Sequence, residues 1–221
     1  MVLSLAFLGL GVWQVQRLAW KQDLIARVDA RIAAPPVAAP GPAQWDAITP
    51  AASEYLRVTA KGTYLNDKTA LVQAVSVHGA GYWVLTPLRT DSGFTVLVNR
   101  GFVPHEARAR AARAAGEIEG PTSVTGLLRL SEPGGGFLRD NDPAADRWYS
   151  RDVAAIAQAR ELAPVAPYFI DADSTPNAGG LPIGGLTVVR FANNHLGYAL
   201  TWFALAAMAV GAGVLVWRRR V

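Results

Sequence analysis

The hydrophobic residues of the chain are concentrated at its two ends, and apolar and polar positions alternate between them. Residues 196–217 carry no charge. At about 1.5 Å of rise per residue, a helix of this length is roughly 33 Å long, which matches a hydrocarbon core of about 30 Å. Trp202 and Trp217 lie toward its two ends, where indole rings favour the membrane interface. The pattern predicts a transmembrane helix over residues 193–217.

The N-terminal run, residues 1–13, is apolar but short for a membrane span on its own. The next apolar residues share one face of a continuing helix and are Leu18, Ile25, Val28 and Ile32. No basic segment precedes the run and no small-residue cleavage site follows it directly, unlike a signal peptide. We therefore predict a first transmembrane helix over 1–16, then an amphipathic helix and an extended, poorly packed Pro/Ala linker over 17–43. We expect the natural chain to begin a few residues earlier.

Two spans place both termini on one side of the membrane. The arginines in the tail, residues 218–221, indicate that this side is the cytoplasm, because basic residues are enriched in cytoplasmic flanks. Residues 44–192 would then form an extracytoplasmic domain. Arg17 and Lys21 flank the first span on the outer side and argue against this orientation. The objection is modest, since long translocated domains follow the rule poorly.

The region from 44 to 192 alternates between apolar and polar residues, with turn signals between the runs, which is typical of β-strands. The predicted strands are 55–64, 69–77, 82–90, 94–103, 122–130, 167–172 and 186–191. Residues 105–116 and 152–161 have helical composition and spacing, with Asp152 as an N-cap and Gly116 as a terminator. The predicted class is α+β: terminal transmembrane helices flanking a mainly antiparallel sheet or partial barrel with two helices.

Composition excludes several kinds of site. The chain has no cysteine, which rules out disulfides and thiolate metal ligands. Its histidines, His78, His105 and His195, are too few and too scattered for a zinc site. A net charge of +4 could attract nucleic acid, but the basic residues form no stripe with interleaved aromatic residues. We therefore expect no nucleic-acid partner.

Three further groups of residues can each be interpreted as functional or as structural. Residues 140–142 and Asp146 supply oxygen atoms, but they lack a calcium-loop spacing and an Asx-rich turn is favoured. Arg100 ends a strand and could pair with an acidic ligand or with a carboxylate of the fold. His78 in a turn and His105 at a helix start would serve a membrane-anchored enzyme, an alternative that no nucleophile motif supports.

The strongest candidate site lies where residues 193–195 meet the second apolar helix. An ionisable side chain at the membrane edge is a functional group by default. The side chains that share one face of either helix at this site are His195, Tyr198, Trp202, Trp13, Arg17 and Trp20. An imidazole for iron, aromatic surfaces for a flat ring and a guanidinium for a propionate would suit a haem. Alternatively, residues 193–195 cap the helix and the aromatic residues anchor it at the interface.

Five segments also occur, in the same order, in one known family. They are GLGVWQVQRLAWKQDLI (9–25), GYWVLTPLR (81–89), VNRGFVP (98–104), DNDPAADRWYSRD (140–152) and NNHLGYALTWF (193–203). Together they cover most of the chain and resemble the Surfeit locus protein 1 family of cytochrome c oxidase assembly factors. The resemblance implies an assembly factor rather than an enzyme, with two spans in the cell inner membrane and its domain on the outer face.

Bacterial members of this family are linked to haem a, which they help to deliver to oxidase subunit I or to stabilise there. The resemblance therefore implies haem a as a transiently bound cargo. The implied partners are subunit I, its assembly intermediates, the haem a synthesis enzymes and membrane lipid.

The family's proposed iron ligand maps onto His195. On this basis we expect Arg17 to pair with a propionate. The residues expected to line the ring, between the two spans, are Trp13, Trp20, Tyr198 and Trp202. The alternative is a cofactor-free scaffold that clamps a nascent oxidase subunit, in which His195 only caps its helix.

Overall fold

The computed structural model describes residues 2–136, 138–189 and 191–219 and divides into two compact units. Met1–Ala30 and Val189–Val221 form the helical unit, and Arg31–Val188 form the β unit. The α-helices are α1 (Val2–Ala33), α2 (Pro50–Ser53), α3 (Val153–Ala159) and α4 (His195–Arg218). The strands are β1 (Val37–Ala38), β2 (Arg57–Tyr64), β3 (Ala70–Ser76), β4 (Gly79–Thr90), β5 (Thr95–Pro104), β6 (Pro121–Leu130) and β7 (Val165–Ala172).

In the helical unit, α1 and α4 are both long and apolar enough to cross a membrane, by length and composition. Small residues let the two helices approach each other closely. Ala199 and Ala206 are buried on α4 at a spacing of seven residues. Gly11 on α1 leaves room for the Phe203 ring, which a Cβ at that position would meet.

The β unit is a five-stranded barrel with two attached strands. The sheet order is β1-β2-β6-β7-β5-β4-β3, and an additional pairing of β2 with β4 closes the ring. All neighbours in the ring are antiparallel except β5 and β7, which run parallel. The prediction of a mainly antiparallel sheet or partial barrel is therefore confirmed in strand direction, and the barrel is closed rather than partial. Because of the closure, β3 is left at one free edge and the short β1 at the other.

The core has two layers, separated by the barrel wall. Val96 and Val98 point into the barrel, and Leu97 between them points outward, as the alternation of a strand requires. The outer layer is covered by α3, whose Ile156 packs in the same cluster as Trp148. A fully buried side chain of this kind contributes about 1.5–3 kcal/mol.

The prediction of one helix over 105–116 is wrong. The segment forms two 3₁₀ helices, His105–Ala107 and Arg110–Gly116, with Ala109 extended between them. The carbonyl of Gly116, at the end of the segment, accepts from the buried Arg100 of β5. Arg113 donates to the Arg108 carbonyl at 2.5 Å. The helix propensity of an Ala/Arg-rich segment therefore does not decide its backbone here.

The strand predicted over 186–191 is also wrong, since the described residues of that range, 186–189 and 191, contain none. β7 is already paired on both sides, by β5 and by β6, so no edge beside it is free. The segment is instead fastened by side-chain bonds, with Thr187 Oγ1 donating to Asp171 Oδ2 at 3.0 Å. The other predicted strands are present with boundaries shifted by a few residues, and the helix predicted over 152–161 is present as α3.

The Pro/Ala linker is extended, as predicted, but it is not poorly packed. Its residues Val37 and Ala38 form β1 and pair in parallel with β2. Beyond them, the Pro40 carbonyl accepts hydrogen bonds from Tyr168 Oη at 2.7 Å and from Trp45 Nε1 at 3.1 Å. The linker is therefore part of the β unit.

Candidate functional site

His195 is the first residue of α4, and its imidazole contacts α1. Nδ1 lies 2.7 Å from Oε1 of Gln14, a side chain that is only 8% exposed. An amide oxygen accepts a hydrogen bond, so with Oε1 facing the ring the proton is on Nδ1. In that neutral tautomer the lone pair is on Nε2. The contact with Gln14 is therefore compatible with Nε2 as a ligand atom.

The surroundings of this imidazole contain unused hydrogen-bonding capacity. Within the parts of the chain that the structure describes, no side chain bonds to Nε2. Oδ1 of Asn193 is buried and also lacks a partner there. Asn194 occupies the N-cap position of α4 but makes no side-chain capping bond. The interpretation of residues 193–195 as a simple cap is therefore not supported by their contacts.

The predicted aromatic residues do not all lie at the level of the imidazole. Along α4, Trp202 lies seven residues beyond His195, about 10 Å deeper, and Trp20 lies six residues past Gln14, about 9 Å in the opposite direction. One planar ring therefore cannot contact both indoles. Trp202 is also stacked on Phe7, with ring centroids 5.7 Å apart.

The remaining predicted residues stay near the imidazole level. Trp13 is next to Gln14 in the chain, and Arg17 and Tyr198 each lie one helical turn away, about 5 Å along the axis. Trp13 and Tyr198 are exposed. The Arg17 guanidinium lies 4.5 Å from the centroid of the Trp20 ring.

The space between α1 and α4 is filled rather than open at this site. Gln14 contacts His195 directly, and one turn deeper the Phe203 ring occupies the position beside Gly11. The Gln14 side chain therefore occupies the place, between the imidazole and α1, where the sequence analysis put a planar ligand. The side of the helix pair is the remaining direction of approach to Nε2.

Sequence reasoning missed Gln14. The signal was available, since a polar side chain inside a membrane-spanning helix is costly and tends to be functional. Its partner could not be identified, because His195 is remote in sequence and the pairing depends on how the two helices pack.

Arg100 has a structural role. It is buried and donates to the Gly116 carbonyl and, at 2.8 Å, to Asn177 Oδ1, while its guanidinium lies 4.8 Å from the Tyr64 ring centroid. Burial lowers the pKa of Arg100 and raises the pKa of Tyr64 to about 12. The partners of Arg100 are therefore two neutral oxygen atoms and the Tyr64 ring. They are neither the carboxylate of the fold nor the acidic ligand that the sequence analysis considered.

The histidines of the β unit do not form an acid–base site. His78 and His105 are exposed, and each stacks on one aromatic ring, of Phe102 and Tyr82 respectively. Across residues 2–136, 138–189 and 191–219, no three His, Asp or Glu residues group as metal ligands. These observations give the enzyme alternative no support.

The acidic turn is held by its own chain. The Asp142 carboxylate accepts from the Ala145 N–H at 3.1 Å and pairs with Arg147, whose hydrogen bond lowers the pKa of Asp142. Asp146 accepts from Trp148 Nε1 at 2.6 Å and from Arg160. The Asx-rich turn favoured from the sequence is therefore the better description.

These features define the class: an α+β protein with an apolar helix at each end and a central β barrel. The SURF1 family model matches residues 1–207. The chain is 38% identical to a SURF1-like protein of Monosiga brevicollis, over 96% of this chain and 83% of that protein. It is 37% identical to Surfeit locus protein 1 of Homo sapiens, over 90% of this chain and 70% of that protein.

Surfeit locus protein 1 of Mus musculus is similar at 36% identity, over 90% of this chain and 68% of that protein. The chain therefore belongs to the SURF1 family. Membership implies an assembly factor for cytochrome c oxidase, in a family that is not known for catalysis.

Proposed function

We propose that this assembly factor binds haem a through His195 and delivers it to subunit I of cytochrome c oxidase, or stabilises it there. The observation that carries the proposal is the bond between His195 Nδ1 and Gln14 Oε1, which leaves Nε2 as the ligand atom. Histidines that bind metals commonly donate their other ring N–H to an oxygen, which orients the ring and raises its basicity. The donor set thus fits an iron-bearing cargo.

The residues at the imidazole level supply the other contacts. Arg17 pairs with a propionate, because a guanidinium binds carboxylates with charge-assisted hydrogen bonds. Trp13 and Tyr198 present exposed rings to the face of the macrocycle. Trp20 and Trp202 lie beyond it on opposite sides, so each contacts at most the periphery of the cargo. The unpaired Oδ1 of Asn193 can accept a bond from a hydroxyl group or a water of the loaded state.

A single imidazole ligand holds the cargo only moderately, and this suits a protein that must release it. The exposed side of the helix pair gives the acceptor lateral access within the membrane. The proposed location is the cell inner membrane, with both termini in the cytoplasm and the β unit on the outer side. The candidate spans and the arginines at the end of the sequence support this placement. The proposed partners are subunit I, its assembly intermediates and the enzymes of haem a synthesis.

The test is the absorption spectrum of the full chain, co-expressed with the haem a synthesis enzymes and purified in detergent. We expect a haem a spectrum that is lost in His195→Ala. His105→Ala is the matched control, because it removes an exposed histidine elsewhere and should leave the spectrum unchanged. Equal haem a content in His195→Ala and the parent, with both variants inserted in the membrane, would show that the site is wrong.

A cofactor-free scaffold is the second candidate, and one observation favours it: at the level of the imidazole, Gln14 of α1 contacts His195 directly. In this case the helix pair serves only to contact a nascent oxidase subunit. The scaffold predicts a colourless parent protein that still supports oxidase assembly, and assembly that is insensitive to His195→Ala.

A further inference from the structure

The loop that follows β6 displays one apolar side chain in a strained conformation. Leu138 has φ = 57°, in the left-handed region that residues with a large side chain rarely adopt, and it is 89% exposed. Gly136 and Arg139 hold it in place by exchanging backbone hydrogen bonds at 2.8 and 3.2 Å. A positive φ is usual in a two-residue turn between paired backbone groups of this kind. The turn leaves the Leu138 side chain available to contact another molecule.

The same loop is anchored by the segment that resembles the family motif at 140–152. Oδ1 of Asn141 accepts from the N–H groups of Tyr149 and Ser150 at 2.8 and 3.2 Å. Oγ of Ser150 in turn accepts from Asn141 Nδ2 at 2.9 Å and from the Gly135 N–H at 3.1 Å. These bonds tie Gly135 and Asn141, on the two sides of Leu138 in the chain, to residues 149 and 150.

Strand β3 provides an unpaired backbone edge in the same region. The Gln73 N–H points away from β4 and donates to the Trp148 carbonyl at 2.8 Å. The backbone N–H of Val75, two residues further on, also points away from β4. No described backbone group accepts a hydrogen bond from it there. Val75 and Val77 are 82% and 84% exposed. An edge of this kind is a template for an additional strand.

A groove of about 510 Å³ links the edge to the loop. Its lining includes Val75 from β3 and Arg139 from the loop, together with Tyr82, His105 and Tyr149. No carboxylate is among the described residues that line it. The Arg139 guanidinium lies 5.5 Å from the centroid of the Tyr149 ring, a position that leaves its donors available. The groove thus combines apolar contacts with positive charge.

We propose that this groove binds an extended, acidic segment of a partner protein. The segment adds as a strand to β3 beyond Gln73, its apolar side chains contact Val75 and Leu138, and a carboxylate pairs with Arg139. This is recognition by strand addition, in which the backbone gives affinity and the alternating side chains give specificity. A second copy of this chain is a poorer occupant, because it would bring another Arg139 and His105 against the same positive groove.

The proposal does not depend on haem a, since every residue involved lies in the β unit. Its test is photo-crosslinking of the full chain in the membranes of cells that express it. A benzophenone amino acid replaces Val75 in one variant, Leu138 in a second and the exposed Lys61 of β2 in a control. Arg139→Glu is then combined with each crosslinker, and Lys61→Glu is the charge-matched control.

We expect the crosslinkers at 75 and 138 to trap the same protein, through a segment that contains Asp or Glu, and the one at 61 not to trap it. Arg139→Glu should lower the adduct yield about tenfold, and Lys61→Glu should leave it unchanged. Arg139→Gln should lower the adduct yield by an intermediate amount. This graded result would show that the loss follows the charge at position 139 and not misfolding. Three outcomes would each overturn the proposal. They are adducts only with lipid or with a second copy of the chain, no adducts at all, and an adduct yield that does not change in Arg139→Glu.

Discussion

The two units differ in how many hydrogen-bond partners surround their inward-facing polar groups. In the β unit, Asp171 is 3% exposed, and its oxygens accept from Asn99, Arg129, Arg151 and Thr187. In the helical unit, the described residues give the half-buried His195 one side-chain partner, Gln14, and give the buried Oδ1 atom of Asn193 none. A saturated buried group stabilises a fold, and an unsaturated one retains capacity for a ligand. The difference separates the structural centre from the candidate site.

The largest effect should follow from removing the saturated carboxylate. Asp171→Ala leaves Arg129 and Arg151 without their shared buried acceptor, and we expect a loss of about 3–5 kcal/mol in the free energy of unfolding. Denaturation of the full chain in detergent, followed by near-ultraviolet circular dichroism of the β unit, measures it. Asp91→Ala, at an exposed turn, is the control and should change the free energy by less than about 0.5 kcal/mol. Equal effects would contradict a central role for Asp171.

A pH titration tests a second buried group of the β unit. Burial raises the pKa of Tyr64 to about 12 from an ordinary value of 10.0, so folding favours the neutral phenol. Its stabilising contribution is complete below pH 10 and is lost as the pH rises from about 10 to about 12. We expect the free energy of unfolding to fall by about 2 kcal/mol over that interval on account of Tyr64. Tyr64→Phe should flatten the fall, and Tyr149→Phe should not.

At the unsaturated site, a substitution should change binding and spare the fold. Gln14→Leu keeps the size of the side chain but removes the acceptor for His195 Nδ1, and loss of such a supporting group typically weakens metal affinity about 10–100-fold. Titration of the purified protein with haem a measures the change. Gln16→Leu, an exposed glutamine on the same helix, is the matched control. Unchanged affinity in Gln14→Leu would remove the tautomer argument while leaving His195→Ala to decide the ligand.

The smallest expected effect is the difference in stability between alanine substitutions at two glycines. A Cβ on Gly62 would collide with the backbone carbonyl of Arg89 where β2 and β4 close the barrel, whereas a Cβ on Gly11 would meet only the Phe203 side chain. Side chains can rotate and a paired strand cannot, so Gly62→Ala should cost about 1–2 kcal/mol more than Gly11→Ala. Thermal unfolding of the two variants measures this difference. A larger cost at Gly11 would mean that the helix pair is the more rigid of the two.

The elements that could be predicted from the sequence are those governed by local pattern. Alternation identified most strands, because a strand with one face in the core has period two. The errors at 105–116 and 186–191 share one feature, since each segment is bonded to a side chain remote in sequence, Arg100 in one and Asp171 in the other, which local pattern does not reveal. The barrel closure by β2 and β4 was likewise not readable from neighbouring residues.

The candidate site was predictable only in part, for the same reason. His195 was recognisable from its place at the end of an apolar run, and Arg17 and Tyr198 from helical spacing. Gln14 was not, because its role rests on contact with a residue far along the chain. Trp20 and Trp202 lie at other levels of their helices than His195, which helical periodicity does not reveal, because it reports the face that a residue occupies and not its height along the axis.

Strand β7 fastens both connections of the β unit. Near its start, Tyr168 bonds to the carbonyl of Pro40 on the incoming segment, and near its end, Asp171 bonds to Thr187 on the outgoing one. Chain connections rich in proline and glycine are ordinarily where proteases cut and where hydrogen exchange is fastest. Here the two stretches should resist cleavage by proteases of broad specificity and exchange slowly, and they should loosen together when β7 is disturbed.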